Sequence, residues 1–306
     1  MTDTRMDPDF DPIIAAMEGM PGITELPLDQ LRGGWDYTIF GEKEAVAEVR
    51  ELTIPVQGGD IGARLYRPVG EPFGLLVYYH GGGFVMGNLE SHDRPLRAFA
   101  NLTGMAMLSV DYRLAPEHPF PTAFEDSLAA LVWAKAHIIE LAGSEVPMLV
   151  GGDSAGGNLA ATVALASREN GPKLAGQLLL YPSLDGRCDS ESYKTRADCR
   201  LLTAADMRWY WDQYASDKTR REDWRASPAV AETLAGSPPA VVAVAGVDPL
   251  RDEGLEYAVG LAKADTPVTL LHYPTLPHGF FNYFAIAASA GRAFRDLAKT
   301  VRQLIE

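Results

Sequence analysis

The stretch of sequence that decides the fold reads Val150-Gly151-Gly152-Asp153-Ser154-Ala155-Gly156-Gly157. An apolar segment, residues 148–150, precedes it, and a helix-like segment, residues 158–168, follows it. A strand that turns sharply into a helix through Gly-x-Ser-x-Gly is a nucleophile elbow, which holds its serine in a strained backbone conformation. The flanking glycines are needed because larger side chains would collide in such a turn. The sequence therefore predicts that the Ser154 hydroxyl stands clear of a sheet, at a helix N-terminus that favours developing negative charge.

The composition and charge narrow the classes of protein to which this chain can belong. Its 306 residues are 47% hydrophobic and 22% charged, which is ordinary for a globular protein. The formal net charge is −14, so nucleic acid and anionic membrane surfaces, which both need a basic face, are not expected partners. No apolar run approaches the roughly 18–20 residues of a membrane span, and the polar, acidic N-terminus does not predict a signal peptide. We therefore expect a cytoplasmic protein.

The cysteines do not indicate a metal site or a disulfide framework. The chain has only Cys188 and Cys199, which lack a zinc-type spacing and are too few for a framework. Both are predicted to be free thiols in a reducing compartment.

Short apolar strands alternate with helix-like segments from about residue 49 onward. The predicted strands cover residues 75–79, 105–110, 148–150, 177–181, 240–245 and 268–273. Residues 121–141 are predicted to form one helix, because apolar side chains recur there at helical spacing. This alternation is typical of an α/β fold whose parallel sheet is buried on both faces.

Two stretches, residues 1–45 and 185–225, break the alternation. The first carries apolar side chains at helical spacing, and the second is rich in charges and aromatic rings. We interpret them as two parts of one cap over the carboxyl ends of the strands, where open α/β sheets bind their ligands. The predicted catalytic domain then comprises residues 46–184 and 226–306. Most of the aromatic rings of the second stretch are expected to pack against one another.

A serine nucleophile needs a base, and the base needs an orienting acid. In proteins with a nucleophile elbow of this kind, the acid and then the histidine follow the serine along the chain. Of the six histidines, His272 and His278 follow Ser154. His272 lies inside an apolar strand, whereas His278 lies in the loop after it, where catalytic side chains tend to lie. His278 is therefore the predicted base.

The predicted acid is Asp248, which follows the apolar run of residues 240–247 and precedes Pro249. Asp252 and Glu253 are the alternatives, because they follow closely. Asp248 could also serve only as a helix cap or as part of an Asx-turn. Its strand end adjoins the strand that delivers His278, which favours the catalytic interpretation.

Acyl transfer also needs donors for an oxyanion, and the run His80-Gly81-Gly82-Gly83-Phe84 follows a strand as the His-Gly-Gly-Gly motif does. Glycines remove the Cβ atoms that would keep a carbonyl away from backbone N–H groups. The predicted donors are the amides of Gly82, Gly83 and Ala155, while His80 is expected to brace the loop. A phosphate-binding role is not supported, since the sequence has neither Gly-x-Gly-x-x-Gly nor Gly-Lys-Ser/Thr.

Trypsin-like proteases also carry a Gly-Asp-Ser-Gly-Gly run, but they do not fit this chain. Their histidine and aspartate precede the serine. Here an alanine interrupts the run, the suitable partners lie downstream, and the pattern is α/β rather than all-β.

Five stretches together resemble the bacterial hormone-sensitive-lipase-like esterases (family IV) of the α/β-hydrolase fold. They are residues 80–84, 111–121, 152–157, 248–254 and 278–280. The resemblance covers roughly residues 50–306 and implies the triad Ser154, Asp248 and His278, with the glycine run as the oxyanion hole. It also implies a cap built from the N-terminus and from an insertion after about residue 181. Asp153 is typical of the Gly-Asp-Ser-Ala-Gly branch.

The predicted function is hydrolysis of short- to medium-chain carboxylic esters through an acyl-enzyme, with no metal or organic cofactor. The partner is a small-molecule ester, and the oligomeric state is left open, a homodimer included. An amidase or acyltransferase with the same triad, or a small-molecule receptor on the same scaffold, are the alternatives. The candidates for substrate contact are Phe84, Trp209, Tyr210 and Trp211.

Overall fold

The fold is built on one large β-sheet, in a computed structural model that describes residues 5–33 and 41–306. The strands within these residues are β1 (Glu48–Val56), β2 (Gly59–Arg67), β3 (Leu75–Tyr79), β4 (Ala106–Asp111), β5 (Met148–Asp153), β6 (Gly176–Leu180), β7 (Ala240–Val247) and β8 (Val268–Pro277). They form one sheet in the order β1-β2-β4-β3-β5-β6-β7-β8. Among these described strands, β2 pairs antiparallel with β1 and with β4, and the other neighbouring pairs are parallel. The predicted α/β fold class is confirmed.

Helices cover both faces of this sheet. The α-helices of the described residues are α1 (Asp11–Ala16), α2 (Leu28–Gly33), α3 (Asp93–Thr103), α4 (Thr122–Ala136), α5 (Ile138–Ala142), α6 (Ala155–Asn170), α7 (Ser192–Thr195), α8 (Ala204–Tyr214), α9 (Arg251–Lys263) and α10 (Ala288–Arg302). The buried side chains of α4, α5, α6 and α9 belong to one apolar core, and those of α3 and α10 belong to the other. The sheet is therefore buried from both sides.

Strand β3 shows why its sequence is apolar at every position. Leu75, Val77 and Tyr79 contribute to the first core, whereas Leu76 and Tyr78 contribute to the second. Successive side chains of a strand point to opposite faces, so a strand that is covered on both sides needs apolar residues throughout. β3 pairs with β5 in parallel, so the carboxyl end of β3, where the glycine run begins, lies next to the carboxyl end of β5.

The structure departs from the sequence prediction at the start of the sheet. β1 and β2 form an antiparallel hairpin in which Val56 pairs with Gly59. The turn uses positive φ at Gly58 (+86°) and Gly59 (+154°), which glycine adopts readily. The hairpin was not predicted, because β1 lies at the sheet edge and alternates polar and apolar residues instead of forming an apolar run.

The prediction of one helix over residues 121–141 is wrong, because α4 ends at Ala136 and α5 begins at Ile138. His137 separates them, with φ −110° and ψ +15°. Its ring stacks on Trp133 at 4.1 Å, and its Nδ1 lies 2.8 Å from the Trp133 carbonyl oxygen. The backbone angles of His137 lie outside the α-helical region, and this separates the two helices.

The two stretches that were predicted to form a cap carry short helices. Residues 1–45 contain α1 and α2, although residues 1–4 and 34–40 of this stretch lie outside the described residues. Residues 185–225 contain α7 and α8, and α8 begins with a capping box in which Thr203 and Asp206 exchange hydrogen bonds. Trp211 and Tyr214 of α8 are buried in the first core of the sheet. The second stretch therefore shares its packing with the α/β domain.

No helix of the described ranges combines the length and the apolar character that crossing a bilayer would require.

Two neighbouring positions of α4 test the assignment of the core. Leu131 is fully buried, whereas Val132 is 51% exposed. Leu131→Ala should lower the free energy of unfolding by about 2–5 kcal/mol, because it leaves a cavity in the core. Val132→Ala, the matched control, should change it by less than about 0.5 kcal/mol. Urea unfolding followed by circular dichroism measures both, and equal effects would contradict the burial of Leu131.

Candidate active site

Ser154 is the single residue between β5 and α6, so strand and helix meet at its backbone. Its φ is +55° and its ψ is −118°, a conformation that residues other than glycine adopt only under constraint. The Ser154 N–H donates to the Leu180 carbonyl at 2.9 Å, and the Ser183 N–H donates to the Ser154 carbonyl at 3.1 Å. Both bonds tie the turn to the carboxyl end of β6. This is the elbow that the sequence predicts.

The glycines around Ser154 are required by close backbone contacts. A Cβ on Gly152 would lie 2.3 Å from the Gly156 carbonyl oxygen, and a Cβ on Gly156 would lie 1.9 Å from the Tyr79 carbonyl oxygen. Neither position has room for a side chain, because the blocking atoms belong to the backbone. The first turn of α6 therefore packs directly against β3 and brings the glycine run beside the serine.

Ser154, His278 and Asp248 form a continuous hydrogen-bonded chain. The His278 Nε2 lies 2.9 Å from the Ser154 Oγ, and the His278 Nδ1 lies 2.8 Å from the Asp248 Oδ2. The other carboxylate oxygen of Asp248 accepts the Leu250 N–H at 2.9 Å, and Asp248 is fully buried. The three residues follow β5, β7 and β8, so all of them lie at the carboxyl edge of the sheet. The structure thus brings together the predicted nucleophile, base and acid.

The alternatives that the sequence left open lie elsewhere. His272 pairs with Val244 inside the β7–β8 ladder. Asp252 accepts the Ser192 N–H at 2.8 Å, and Glu253 accepts the Leu184 N–H at 3.2 Å. Burial raises the pKa of Glu253 well above its ordinary value, with the charge of Asp185 acting in the same direction. Both acidic groups therefore brace the chain near residues 184–192.

The predicted oxyanion donors lie on two elements that meet at the serine. Gly82 (φ +121°) and Gly83 (φ +61°) begin a tight turn after β3, closed by N–H bonds from Val85 and Met86 to the Gly82 carbonyl. Both glycines line the same cavity as Ser154. Ala155 is the first residue of α6, where a backbone N–H has no partner within the helix. The glycine turn and the helix end thus offer N–H groups beside one hydroxyl.

A cavity of about 230 Å³ opens onto Ser154 and His278. Its apolar walls come from both predicted cap stretches and from the turn after β3. The apolar and aromatic side chains of these parts are Met17, Ile23, Met86, Leu201, Leu202, Met207 and Tyr210, and Tyr283 lines the cavity from the segment after β8. Met17 and Ile23 belong to the N-terminal stretch, so residues far apart in the sequence share one wall.

The structure corrects part of the prediction for substrate contact. Tyr210 lines the cavity, and its ring lies where a Cβ on Gly83 would otherwise stand. Phe84 and Trp211 do not line it, because Phe84 stacks on Tyr214 at 3.8 Å and Trp211 packs 5.6 Å from Phe84 inside the core. Trp209 also lies outside the lining and contacts the Tyr210 ring edge at 5.3 Å.

A buried polar cluster lies behind the glycine run. His80 was expected to brace the loop there, whereas the contribution of its neighbours was not predicted. The His80 ring stacks on Tyr112 at 4.4 Å, and the Tyr112 hydroxyl donates to the His80 carbonyl at 2.7 Å. Burial, together with the charge of His92, lowers the pKa of His80 to about 4, so this histidine stays neutral near pH 7. Asp153 and His92 line the cavity as well, although no role of their side chains was predicted from the sequence. The position of Asp153 directly before the nucleophile was the available signal.

Comparisons with known proteins agree with this fold. A family described as having the alpha/beta hydrolase fold matches residues 76–282. The carboxylic ester hydrolase LipN of Mycobacterium tuberculosis is 44% identical over 264 residues, which are 83% of this chain and 70% of that protein. The carboxylesterase NlhH of the same organism is 40% identical over 266 residues, 84% of this chain and 83% of that protein. The hyperthermophilic esterase of Pyrobaculum calidifontis superimposes with a TM-score of 0.93 at 35% identity, covering 98% of this chain and 99% of that one.

The chain therefore belongs to the α/β-hydrolase family, and its resemblance to the hormone-sensitive-lipase-like esterases is confirmed.

Proposed function

We propose that Ser154, His278 and Asp248 are the catalytic triad of this chain and that Gly82, Gly83 and Ala155 form its oxyanion hole. The Ser154 Oγ attacks the carbonyl carbon of an ester while the His278 Nε2 takes the hydroxyl proton. The negative charge that develops on the carbonyl oxygen is stabilised by the backbone N–H groups of Gly82, Gly83 and Ala155. Asp248 keeps His278 in the required tautomer and stabilises its positive charge.

The tetrahedral intermediate then collapses, and the bond to the alcohol oxygen breaks. The alcohol leaves with the proton held by His278, and the acyl group stays on the Ser154 Oγ. A water molecule attacks this acyl-enzyme while His278 takes one of its protons. The second collapse releases the carboxylic acid and returns the proton to Ser154.

The observation that carries the proposal is the unbroken contact from the Ser154 Oγ through both ring nitrogens of His278 to Asp248, at 2.9 and 2.8 Å. The class of reaction follows from the relatives, which are named carboxylic ester hydrolase and carboxylesterase. The chain is accordingly a carboxylic-ester hydrolase that acts on small-molecule esters. A receptor role is weaker, because the base and its partners are all present.

The size of the cavity supports short to medium acyl chains. Its volume of about 230 Å³ is smaller than the roughly 300–1,000 Å³ of pockets for drug-sized ligands. Its apolar walls would exclude a charged acyl group, because no charged side chain of the cap stretches lines it among the described residues.

We keep the division into a catalytic domain (46–184 and 226–306) and a two-part cap (1–45 and 185–225) as part of the proposal. Its support is that Met17 and Ile23 from one part and Met207 and Tyr210 from the other line one cavity. A cytoplasmic location and a homodimer stay predictions.

Replacement of the nucleophile tests the reaction. Ser154→Ala should lower the hydrolysis of p-nitrophenyl butyrate by about 10⁴-fold or more, because it removes the hydroxyl that contacts the His278 Nε2. Ser190→Ala, in the second cap stretch, is the control and should keep full activity. Circular dichroism should show both variants folded, and labelling by a fluorophosphonate should disappear only in Ser154→Ala. Appreciable turnover by Ser154→Ala would refute the assignment.

The pH profile tests the base. A protonated imidazole cannot accept the Ser154 proton, so kcat/KM should fall when the pH is low enough to protonate the base. Burial lowers the pKa of His80 to about 4, so that histidine is neutral above this pH. His272→Asn should leave the profile unchanged. An activity maximum well below about pH 6 would speak against a histidine base.

A series of p-nitrophenyl esters tests the acyl preference. Activity should be highest for short to medium chains, because the cavity is small and side chains of the cap form part of its wall. Leu202→Ala removes part of that wall and should move the maximum to longer chains, while Val132→Ala, at an exposed residue that does not line the cavity, should not. A wild-type maximum beyond about twelve carbons would contradict the size argument.

A further inference from the structure

The residue directly before the nucleophile has a side chain that is bonded to the glycine run. The Asp153 Oδ1 accepts the Gly81 N–H at 2.9 Å and the Tyr78 hydroxyl at 2.9 Å. The carboxylate fits so closely that a Cβ on Gly81 would lie 2.4 Å from its other oxygen. Asp153 is 3% exposed, so these bonds are made away from bulk water. The carboxylate thereby joins β5 to the start of the loop that follows β3.

The far end of the same loop also reaches this oxygen. His92, the residue before α3, places its Nε2 2.9 Å from the Asp153 Oδ1. Its Nδ1 lies 2.8 Å from the Ser91 Oγ, which is held in a turn by the Asn88 N–H at 3.0 Å. The loop of residues 80–92, which carries Gly82 and Gly83, is therefore closed at its base on one carboxylate.

We infer that Asp153 is a positioning residue, which holds the oxyanion loop at a set distance from Ser154 through its hydrogen bonds to Gly81 and Tyr78 and its close contact with His92. The inference rests on the proposed function of Ser154, Gly82 and Gly83. The backbone of Asp153 leads directly into the nucleophile, and its side chain holds the peptide that precedes the two donor amides. One residue thus sets the geometry between the attacking oxygen and the groups that receive the oxyanion.

The buried carboxylate is ionised in this setting. Burial alone would raise the pKa of Asp153, but the charge of the closely placed His92 and the hydrogen bond from Tyr78 hold it below its ordinary value. Hydrogen bonds to a charged acceptor are shorter and stronger than those between neutral groups, so the loop is held more firmly than a neutral acceptor would hold it. Donors for an oxyanion act only within about 2.7–3.1 Å of its position, and a displacement of about 1 Å can cost roughly 10²-fold in rate.

The test is Asp153→Asn, which keeps the size of the side chain and one acceptor oxygen but removes the charge. We expect kcat for p-nitrophenyl butyrate to fall by about 10²-fold, with KM changed by less than about threefold, because the donors act mainly in the transition state. The affinity for a trifluoromethyl ketone, whose adduct carries the oxyanion, should fall in parallel with kcat/KM. Inhibition by butyrate, the product, should change little.

The matched control is Asp126→Asn. Asp126 is also a buried aspartate and holds Arg113 through bonds of 2.6 and 2.9 Å, but it lies on α4 and does not line the cavity. This variant should lower the melting temperature and leave kcat within about twofold of the wild type. An equal loss of kcat in both variants would overturn the inference, since any buried aspartate would then have the same effect.

If Asp153→Asn does not fold, Tyr78→Phe tests the positioning role instead. This variant removes one buried hydroxyl, which donates a hydrogen bond to the Asp153 Oδ1. We expect a loss of several-fold in kcat at unchanged KM. A folded Asp153→Asn with wild-type kcat would overturn the positioning role. If Asp153→Asn does not fold, wild-type kcat in Tyr78→Phe would overturn it. Ser154→Ala is run beside them: if it is inactive, only the inference has failed, and if it is active, the proposed function itself has failed.

Discussion

The backbone of Ser154, at φ +55° and ψ −118°, lies in a conformation that costs about 1–3 kcal/mol for a residue with a side chain. The surrounding sheet maintains it, because the Ser154 N–H is bonded to the end of β6 and the first turn of α6 rests on β3. Only glycine permits that approach at Gly156, where the Tyr79 carbonyl occupies the place of a Cβ. The position of the nucleophile is therefore set by the register of the parallel strands β3, β5 and β6. The triad partners at the ends of β7 and β8 depend on the continuation of the same parallel pairing.

Two pairs of an aspartate and a histidine, each with a buried carboxylate, flank this serine. Asp248 lies 2.8 Å from His278, which contacts the hydroxyl, and Asp153 lies 2.9 Å from His92 behind the glycine run. Both carboxylates are shielded from water, where charge interactions are stronger than at the surface. One pair orients the proposed base, and the other closes the loop with the proposed oxyanion donors. The two halves of the site are thus held by separate electrostatic contacts on either side of one residue.

The cap stretches act on the same loop from outside. The ring of Tyr210 covers Gly83, and its hydroxyl lies 3.2 Å from the Met86 sulfur. From the N-terminal stretch, the Arg32 Nε donates to the Val85 carbonyl at 2.7 Å. The glycine loop is consequently enclosed between the polar cluster beneath it and cap side chains above it. A change in either cap stretch would alter both the cavity and the seating of this loop.

Local motifs made much of the site predictable. Gly-Asp-Ser-Ala-Gly, the glycine run and the loop position of His278 each carry their chemistry within a few residues, and apolar runs predicted the central strands. The hairpin of β1 and β2 escaped prediction because an edge strand needs no continuous apolar run. The roles of Phe84 and Trp211 were also not predictable, since a ring beside the glycine run or in a cap segment can face the cavity or the core with the same local sequence.

The sequence by itself determined the type of fold, the elbow and the candidate triad, because these depend on residue types at short spacings and on their order along strands. Only the tertiary structure decided which cap side chains reach the cavity and that Asp153 meets Gly81, Tyr78 and His92 at one oxygen. These contacts join residues that are separated by long stretches of chain. They depend on how strands and loops pack in three dimensions, which no local pattern of residues encodes.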